Sequence, residues 1–191
     1  MEYRTIILVD GENLRLRYEA MLGQGYVEKR GAGVIHTPGL FLWSSGLTLW
    51  QQQEIVRVSY FTTIVGDDDA VSSLEDRISK TNYVFVPRDG AGQRSAFLCP
   101  RVFKKTKKGF SNKSADINIT IDALRHAYNR SVDRIAILSG DGDFEPVVRE
   151  VMRHGVQVIV GAFSNGLNPI LPRVADGFLD LDRRFVERAT A

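Results

Sequence analysis

The chain has 191 residues, of which 43% are hydrophobic and 25% are charged, a composition typical of a soluble globular protein with one core. The formal net charge of +2 does not by itself indicate a polyanionic partner, so electrostatic arguments must rest on where the charges lie. A single cysteine, Cys99, excludes an intrachain disulfide and a thiolate metal cage. No segment approaches the ~20 apolar residues of a membrane span, so we expect a cytoplasmic protein that does not enter a membrane.

Strands and helices are predicted to alternate along the chain. Short apolar runs rich in β-branched residues predict five buried strands, at 5–9, 56–64, 83–87, 134–138 and 156–162. Apolar residues at helical spacing predict helices at 14–22, 69–80, 116–128 and 144–154, followed by a short strand and a helix within 176–188. Buried strands that alternate with helices are typical of a parallel sheet covered on both faces. We therefore expect a single α/β domain over residues 1–191, with a mainly parallel central sheet of about five strands and helices on both faces.

Two segments do not fit this alternation. Residues 23–45 contain five glycines and three aromatic residues, and we interpret them as an insertion after the first helix that forms a flap or an oligomer contact. A homo-oligomer is therefore left open. Residues 88–112 are interpreted as a basic hairpin, with 96–102 as one of its arms.

Acidic residues directly follow two of the predicted strands. Strand 5–9 is followed by Asp10, within Val-Asp-Gly-Glu-Asn-Leu. Strand 134–138 is followed by Ser-Gly-Asp-Gly-Asp-Phe, which contains Asp141 and Asp143, and Asp116 begins a predicted helix. Ligands of an open parallel sheet bind at the carboxyl ends of its strands, so these acids can converge on one point. The glycines beside them are expected to permit sharp turns and to leave room for a substrate.

Carboxylates that converge repel one another unless a cation or protons neutralise them. Ligands that are all oxygens favour hard ions such as Mg²⁺ or Mn²⁺, which can activate a water and clamp a phosphoryl oxygen in phosphodiester hydrolysis. Each acid also has a structural alternative: Asp10 and Asp116 as helix N-caps, and Asp141 and Asp143 as turn residues. Asp122 points about 120° away from Asp116 on an ideal helix, so we expect it at most to contact the metal ligands and not the metal itself.

Three motifs together resemble the NYN domain family of PIN-like ribonucleases. They are Val-Asp-Gly-Glu-Asn-Leu at 9–14, Lys-Ser-Ala-Asp at 113–116 with Asp-Ala-Leu at 122–124, and Leu-Ser-Gly-Asp-Gly-Asp-Phe at 138–144. The resemblance covers most of 4–22 and 113–182 and is loose between them. It implies a Rossmann-like sheet and metal-dependent RNA cleavage, with Asp10, Asp116 and Asp141 as the acidic centre. It also implies that Asn13 and Asp143 assist.

Positive charge is concentrated just before Asp116. The segment 101–113 contains Phe103, Phe110 and six basic residues: Arg101, Lys104, Lys105, Lys107, Lys108 and Lys113. Cations and aromatic rings beside a carboxylate site suit RNA, because phosphates bind cations and unpaired bases stack on rings. An ordinary solvated hairpin is the structural alternative. Lys113, three residues before Asp116, can reach the scissile phosphate.

The sequence thus predicts a metal-dependent endoribonuclease that acts on single-stranded or structured RNA. The predicted ligands of Mg²⁺ or Mn²⁺ are Asp10, Asp116, Asp141 and Asp143. We expect Asn13 and Ser139 to position water or phosphate, and Lys113 to stabilise charge. RNA phosphates are expected to lie against Arg101, Lys104, Lys105, Lys107 and Lys108. Two alternatives stay open: a non-catalytic RNA-binding module, which binds without metal, and a small-molecule phosphohydrolase, which cleaves a chromogenic phosphate ester but not RNA.

Overall fold

The computed structural model describes residues 3–45, 47–48, 54–87, 92–105 and 113–189. The strands in chain order are β1 (Arg4–Asp10), β2 (Tyr26–Glu28), β3 (Val34–Thr37), β4 (Leu40–Trp43), β5 (Glu54–Val65), β6 (Asn82–Phe85), β7 (Arg94–Phe97), β8 (Cys99–Lys105), β9 (Arg134–Leu138), β10 (Gln157–Ala162), β11 (Gly177–Asp180) and β12 (Val186–Arg188). The helices are α1 (Gly11–Gly23), α2 (Asp68–Ser79), α3 (Ser114–Tyr128), α4 (Glu145–Arg153), α5 (Leu171–Val174) and α6 (Asp182–Phe185), and a 3-10 turn (Gly142–Phe144) precedes α4.

Six strands form one parallel sheet in the order β11-β10-β9-β1-β5-β8. The chain therefore has the expected α/β fold, with six strands in place of about five. The central strands β1 and β9 are buried over nearly their whole length, which is why both are continuous apolar runs. Because all six strands are parallel, their carboxyl ends share one edge of the sheet, where Asp10, Leu138 and Lys105 lie.

Alternate residues of β1 belong to two hydrophobic clusters, one on each face of the sheet. Ile7 and Val9 share a cluster with side chains of α1 and α2, whereas Ile6 and Leu8 share the other with side chains of α3 and α4. This division follows from the two-residue period of a strand. Helices thus cover both faces, as expected. The helices of the described ranges all lack the length or the apolar composition needed to cross a membrane.

In the segment 23–45, interpreted above as a flap or an oligomer contact, residues 40–43 are buried in the core and most residues from 23 to 39 are exposed. β3 and β4 form an antiparallel hairpin, and Phe41 and Trp43 are completely buried. The Phe41 ring lies 4.6 Å from the Tyr18 ring and 5.2 Å from the Phe185 ring, measured between centroids. Apolar burial of these side chains stabilises the chain itself, so they are not available to a partner.

The strand expected at 83–87 lies outside the central sheet. β6 pairs antiparallel with β7, and β8 occupies the edge of the central sheet beside β5. Within the described residues, a β6–β7 hairpin and a parallel edge strand therefore replace the hairpin expected over 88–112, of which 88–91 and 106–112 lie outside the described ranges. Tyr83 and Phe85 are buried beside α1 and α2, which explains their sheet-like composition. The basic residues of β8 suit an edge strand, since such a strand is partly exposed to water.

Candidate active site

Asp10 occupies the last position of β1 and caps α1. Its Oδ1 accepts a hydrogen bond of 3.0 Å from the backbone N–H of Asn13, and its Oδ2 accepts one of 2.9 Å from the Ser139 hydroxyl. Only 6% of Asp10 is exposed. Burial raises the pKa of Asp10 to about 6, and the charges of Asp116 and Glu12 act in the same direction, while the two hydrogen bonds oppose the increase. Asp10 therefore caps α1, and the charges of other carboxylates also act on it.

Asp116 lies in the first turn of α3 but does not cap this helix. The capping position is Lys113, and no side chain forms a capping hydrogen bond there. Within the described ranges no donor is hydrogen-bonded to the Asp116 carboxylate. Burial and then the charge of Asp141 raise the pKa of Asp116, whereas the charge of Lys113 lowers it. Asp116 thus faces other acids without the structural role that a cap would give it.

Asp141 and Asp143 lie at the 3-10 turn that follows β9. The Asp141 carboxylate accepts a hydrogen bond of 3.0 Å from the backbone N–H of Asp143, so Asp141 caps this turn. Lys113 Nζ donates to Asp143 Oδ2 at 2.6 Å, and both side chains are exposed. Asp143 raises the pKa of Lys113 through this hydrogen bond and its charge, and the charges of Asp116 and Asp141 contribute as well. The four predicted acids and Lys113 therefore form one electrostatic group.

Ser139 and Asn13 connect the two acidic loops from inside the protein. The Ser139 hydroxyl donates to Asp10 and accepts a hydrogen bond of 3.2 Å from the backbone N–H of Asp141. The Asn13 side-chain carbonyl accepts a hydrogen bond of 3.2 Å from the backbone N–H of Gly140. Because Ser139 is completely buried, its hydroxyl cannot touch a substrate. This corrects the expectation that Ser139 binds water or phosphate: it positions Asp10 and Asp141.

The glycines beside the acids do not leave room for a substrate, contrary to expectation. A Cβ on Gly11 would lie 2.3 Å from Cε1 of Tyr60, and a Cβ on Gly142 would lie 2.1 Å from Nδ2 of Asn168. Both separations are far below a van der Waals contact. The space beside these glycines is thus filled by the protein's own side chains.

Glu12, Thr63 and Lys105 form a polar group that the sequence analysis did not identify. Lys105 Nζ donates to Glu12 Oε1 at 2.5 Å, and Thr63 Oγ1 donates to Glu12 Oε2 at 2.7 Å. Burial acts to raise the pKa of Glu12, but these two hydrogen bonds and the charges of Lys105 and Arg15 together lower it. The charge of Glu12 in turn raises the pKa values of Asp10 and Asp116. The group depends on β8 being the edge strand next to β5, which the sequence pattern did not reveal.

Adjacent basic residues of β8 have different partners. Lys104 forms an ion pair with Asp68 of α2, whereas Lys105 binds Glu12 beside the acids. Successive side chains of a strand point to opposite faces, so only one of the two lysines can face the acids. Two further predicted RNA contacts, Lys107 and Lys108, lie outside the described residues.

Asp122 and Arg101 lie apart from the acidic group, on the wall of a cavity between β8 and α3. α3 begins at Ser114 and continues without a break through Asp122, so Asp122 points away from Asp116, as an ideal helix predicts. Its carboxylate lies 3.6 Å from the Arg125 guanidinium. Asp122 is therefore not grouped with the four acids.

Residues 4–182 match the model of the NYN domain family, and this range includes every acidic motif described above. The chain belongs to the NYN domain family. NYN domains are part of the PIN-like nuclease superfamily. The carboxylates of this NYN domain thus lie at the carboxyl edge of a nuclease-type fold.

Two known proteins are similar to this NYN domain. An uncharacterized protein of Methanocaldococcus jannaschii is 29% identical over 82 residues, which are 41% of this chain and 34% of that protein. The matched region spans about a third of that relative's length. The crystal structure of a protein of unknown function from Vibrio parahaemolyticus matches with a TM-score of 0.61 at 20% identity, over 97% of each chain. This second similarity shows a shared fold.

PIN-like nucleases generally use divalent metal ions, and the donor chemistry of this NYN domain fits one. The side chains concerned offer only oxygen atoms, which hard cations prefer. The charge of Asp116 raises the pKa of Asp10, and the charge of Asp141 raises the pKa of Asp116; a divalent cation would relieve this repulsion. As they lie, however, no three His, Cys, Asp or Glu side chains of the described ranges form a group that could hold an ion. A metal ion held by these residues would require the carboxylates to lie closer together.

Proposed function

We propose that this NYN domain is a metal-dependent endoribonuclease that hydrolyses RNA phosphodiester bonds. The observation that carries the proposal is the relationship between Asp10 and Asp116. These carboxylates come from different elements at the carboxyl end of the sheet, and the charge of Asp116 raises the pKa of Asp10. In a PIN-like nuclease fold, such mutual repulsion is what a catalytic divalent cation would neutralise.

The proposed ligands of Mg²⁺ or Mn²⁺ are Asp10, Asp116, Asp141 and Asp143. When bound, the ion would supply a water of lowered pKa and polarise a phosphoryl oxygen. Asp10 is oriented in advance by its two hydrogen bonds, which reduces the rearrangement needed on binding. Asp143 would exchange Lys113 for the ion at little cost, because the pair is exposed to water. Lys113 would then be available to neutralise a phosphate.

RNA is the proposed polyanion, in single-stranded or structured form. Its phosphates would contact the basic residues that precede Asp116 in the sequence: Arg101, Lys104, Lys105, Lys107 and Lys108. Lys105 is connected to the proposed chemistry, since its partner Glu12 influences both Asp10 and Asp116. Cations beside an acidic site draw in a backbone that the acids alone would repel.

The test is a comparison of substrates and metals. The protein is incubated with end-labelled single-stranded RNA, with DNA of the same sequence, and with a chromogenic phosphate ester, each in Mg²⁺, Mn²⁺ or EDTA. We expect internal cleavage of RNA that requires metal. RNA that is bound equally well with and without metal but never cut would identify a binding module. Hydrolysis of the ester alone would identify a small-molecule phosphohydrolase.

A further inference from the structure

A cavity of about 270 Å³ lies at the free edge of β8, beside α3. Its lining includes two phenylalanines, two arginines and two polar residues of α3: Phe61, Phe103, Arg101, Arg125, Asn118 and Asp122. The two elements that line this cavity, β8 and α3, both extend from the candidate active site. Asn118 and Asp122 follow Asp116 on α3 by about 3 and 9 Å along the helix axis. Phe103 precedes Lys105 on β8 by about 7 Å.

The polar wall of this cavity presents hydrogen-bond acceptors. The Asn118 side-chain amide donates to the Ser114 carbonyl at 2.8 Å, and the Asn118 carbonyl oxygen accepts no hydrogen bond from the described residues. The Asp122 carboxylate is 20% exposed, and its nearest cation, Arg125, lies 3.6 Å away, beyond a hydrogen bond. An ionised carboxylate and an amide carbonyl oxygen both accept hydrogen bonds, and neither donates one. The wall therefore suits a ligand edge that carries N–H donors.

Three other lining residues, Phe103, Arg101 and Arg125, suit a nucleotide. Aromatic rings such as Phe103 stack on unpaired bases of any identity. The side chains of Arg101 and Arg125 are exposed and can bind phosphates on either side of a base. The volume lies just below the roughly 300 Å³ at which pockets for drug-sized ligands begin, so one base fits better than a larger ligand.

We propose that this cavity binds one unpaired base of the RNA strand and that Asp122 and Asn118 select guanine. The Watson–Crick edge of guanine presents two adjacent donors, the N1–H and the 2-amino group, whereas each other base presents acceptors next to a single donor group. The path of the RNA strand from this cavity to the acids rests on the proposed ribonuclease function. The selectivity of the cavity does not, because it concerns binding alone.

The experiment measures RNA binding by fluorescence anisotropy in EDTA. The probes are labelled oligouridylates that carry one central guanosine, inosine or adenosine; inosine lacks the 2-amino group. We expect wild type to bind the guanosine probe about tenfold more tightly than the adenosine probe, with inosine between them. Asp122→Asn should abolish this preference. Asp69→Asn, the same change of charge at an exposed position of α2, should retain it.

Two further variants test the lining without relying on Asp122. Phe103→Leu removes the ring but keeps an apolar side chain, so it should weaken binding of all three probes. Arg125→Gln should weaken all three and lower the salt dependence of log affinity by about one unit. Equal binding of the probes by wild type, or a guanosine preference that survives Asp122→Asn, would overturn the proposal. An Asp122-dependent preference without RNA cleavage would support this site and contradict ribonuclease activity. RNA cleavage without the preference would contradict this site and support ribonuclease activity.

Discussion

The Ser139 hydroxyl donates a hydrogen bond of 2.9 Å to the Asp10 carboxylate and thereby connects the end of β9 to the end of β1. Ser139→Ala would leave a buried carboxylate with one donor fewer. We expect the variant to raise the pKa of Asp10 further and to lower the free energy of unfolding at pH 7 by about 1–3 kcal/mol. Urea denaturation measures the change, with Ser73→Ala on the exposed side of α2 as the control. Equal losses in both variants would show that the hydrogen bond has no special role.

The raised pKa of Asp10 predicts a pH-dependent effect of Asp10→Asn. The pKa is about 6 in the folded chain, and an unfolded aspartate titrates near 3.9. Between these values the folded state binds more protons, so Asp10 reduces stability as pH rises through this window. Without metal, Asp10→Asn should therefore gain stability relative to wild type from pH 4 to pH 7, by up to about 3 kcal/mol. Thermal melts in EDTA measure it, and a difference that stays constant over this range would contradict the buried charge.

A bound metal ion should reverse the stability advantage of Asp10→Asn over wild type. An ion that binds only the folded protein stabilises it by about 2.7 kcal/mol at a hundredfold excess over Kd. We expect Mn²⁺ to raise the Tm of wild type at pH 7 and to have little effect on Asp10→Asn. Melts of both proteins with Mn²⁺ and with Ca²⁺ or EDTA provide the comparison. An identical shift in the variant would place the ion elsewhere.

Lys104 and Lys105 offer a matched pair on the same strand. Lys105 is 16% exposed and holds the half-buried Glu12, whereas Lys104 pairs with the exposed Asp68. Lys105→Met should lower stability by about 1–3 kcal/mol, because Glu12 loses its charged donor, and should also slow RNA cleavage. Lys104→Met should stay within about 0.5 kcal/mol of wild type and affect only RNA affinity. Similar behaviour of the two variants in denaturation and single-turnover cleavage would argue against a special place for Lys105.

Gly11 is predicted to tolerate no side chain, for a reason unrelated to substrate. A Cβ there would meet the ring of Tyr60, which is buried and fixed by a 2.9 Å hydrogen bond from its hydroxyl to the Phe41 carbonyl. Gly11→Ala should therefore destabilise the protein by about 1–3 kcal/mol. Gly23→Ala, at the end of the same helix with no neighbour within 4 Å, is the control. A neutral Gly11→Ala in thermal melts would mean that the Tyr60 ring can move.

The central parallel sheet could be predicted because its inner strands are continuous apolar runs. β1 and β9 show this pattern, and parallel topology alone then puts Asp10 and the Ser139–Asp143 loop at one edge. The edge strand could not be predicted in the same way. β8 is only partly buried and carries basic residues, while β6 has the composition of a sheet strand because another layer of the chain buries it.

The buried strand β4 within residues 23–45 was not predicted, for a related reason. Their glycines suggest a loop, and four of them do adopt positive φ, at Gly25, Gly31, Gly33 and Gly39. The aromatic side chains between the turns are buried by tertiary contacts with α1 and α6, which local sequence does not encode. Likewise, the hydrogen bonds of Ser139 and Glu12 join residues more than fifty positions apart.

The most direct test compares two aspartates of α3 in metal-dependent RNA cleavage. Asp116 faces the acids, and Asp122 lies six residues further along the helix on the wall of a separate cavity. Single-turnover cleavage of a saturating oligouridylate in Mn²⁺ should fall at least about 100-fold in Asp116→Asn and remain near the wild-type rate in Asp122→Asn. An Asp116→Asn protein that cuts RNA at the wild-type rate, or wild-type cleavage that persists in EDTA, would contradict a metal-dependent ribonuclease built on Asp10 and Asp116.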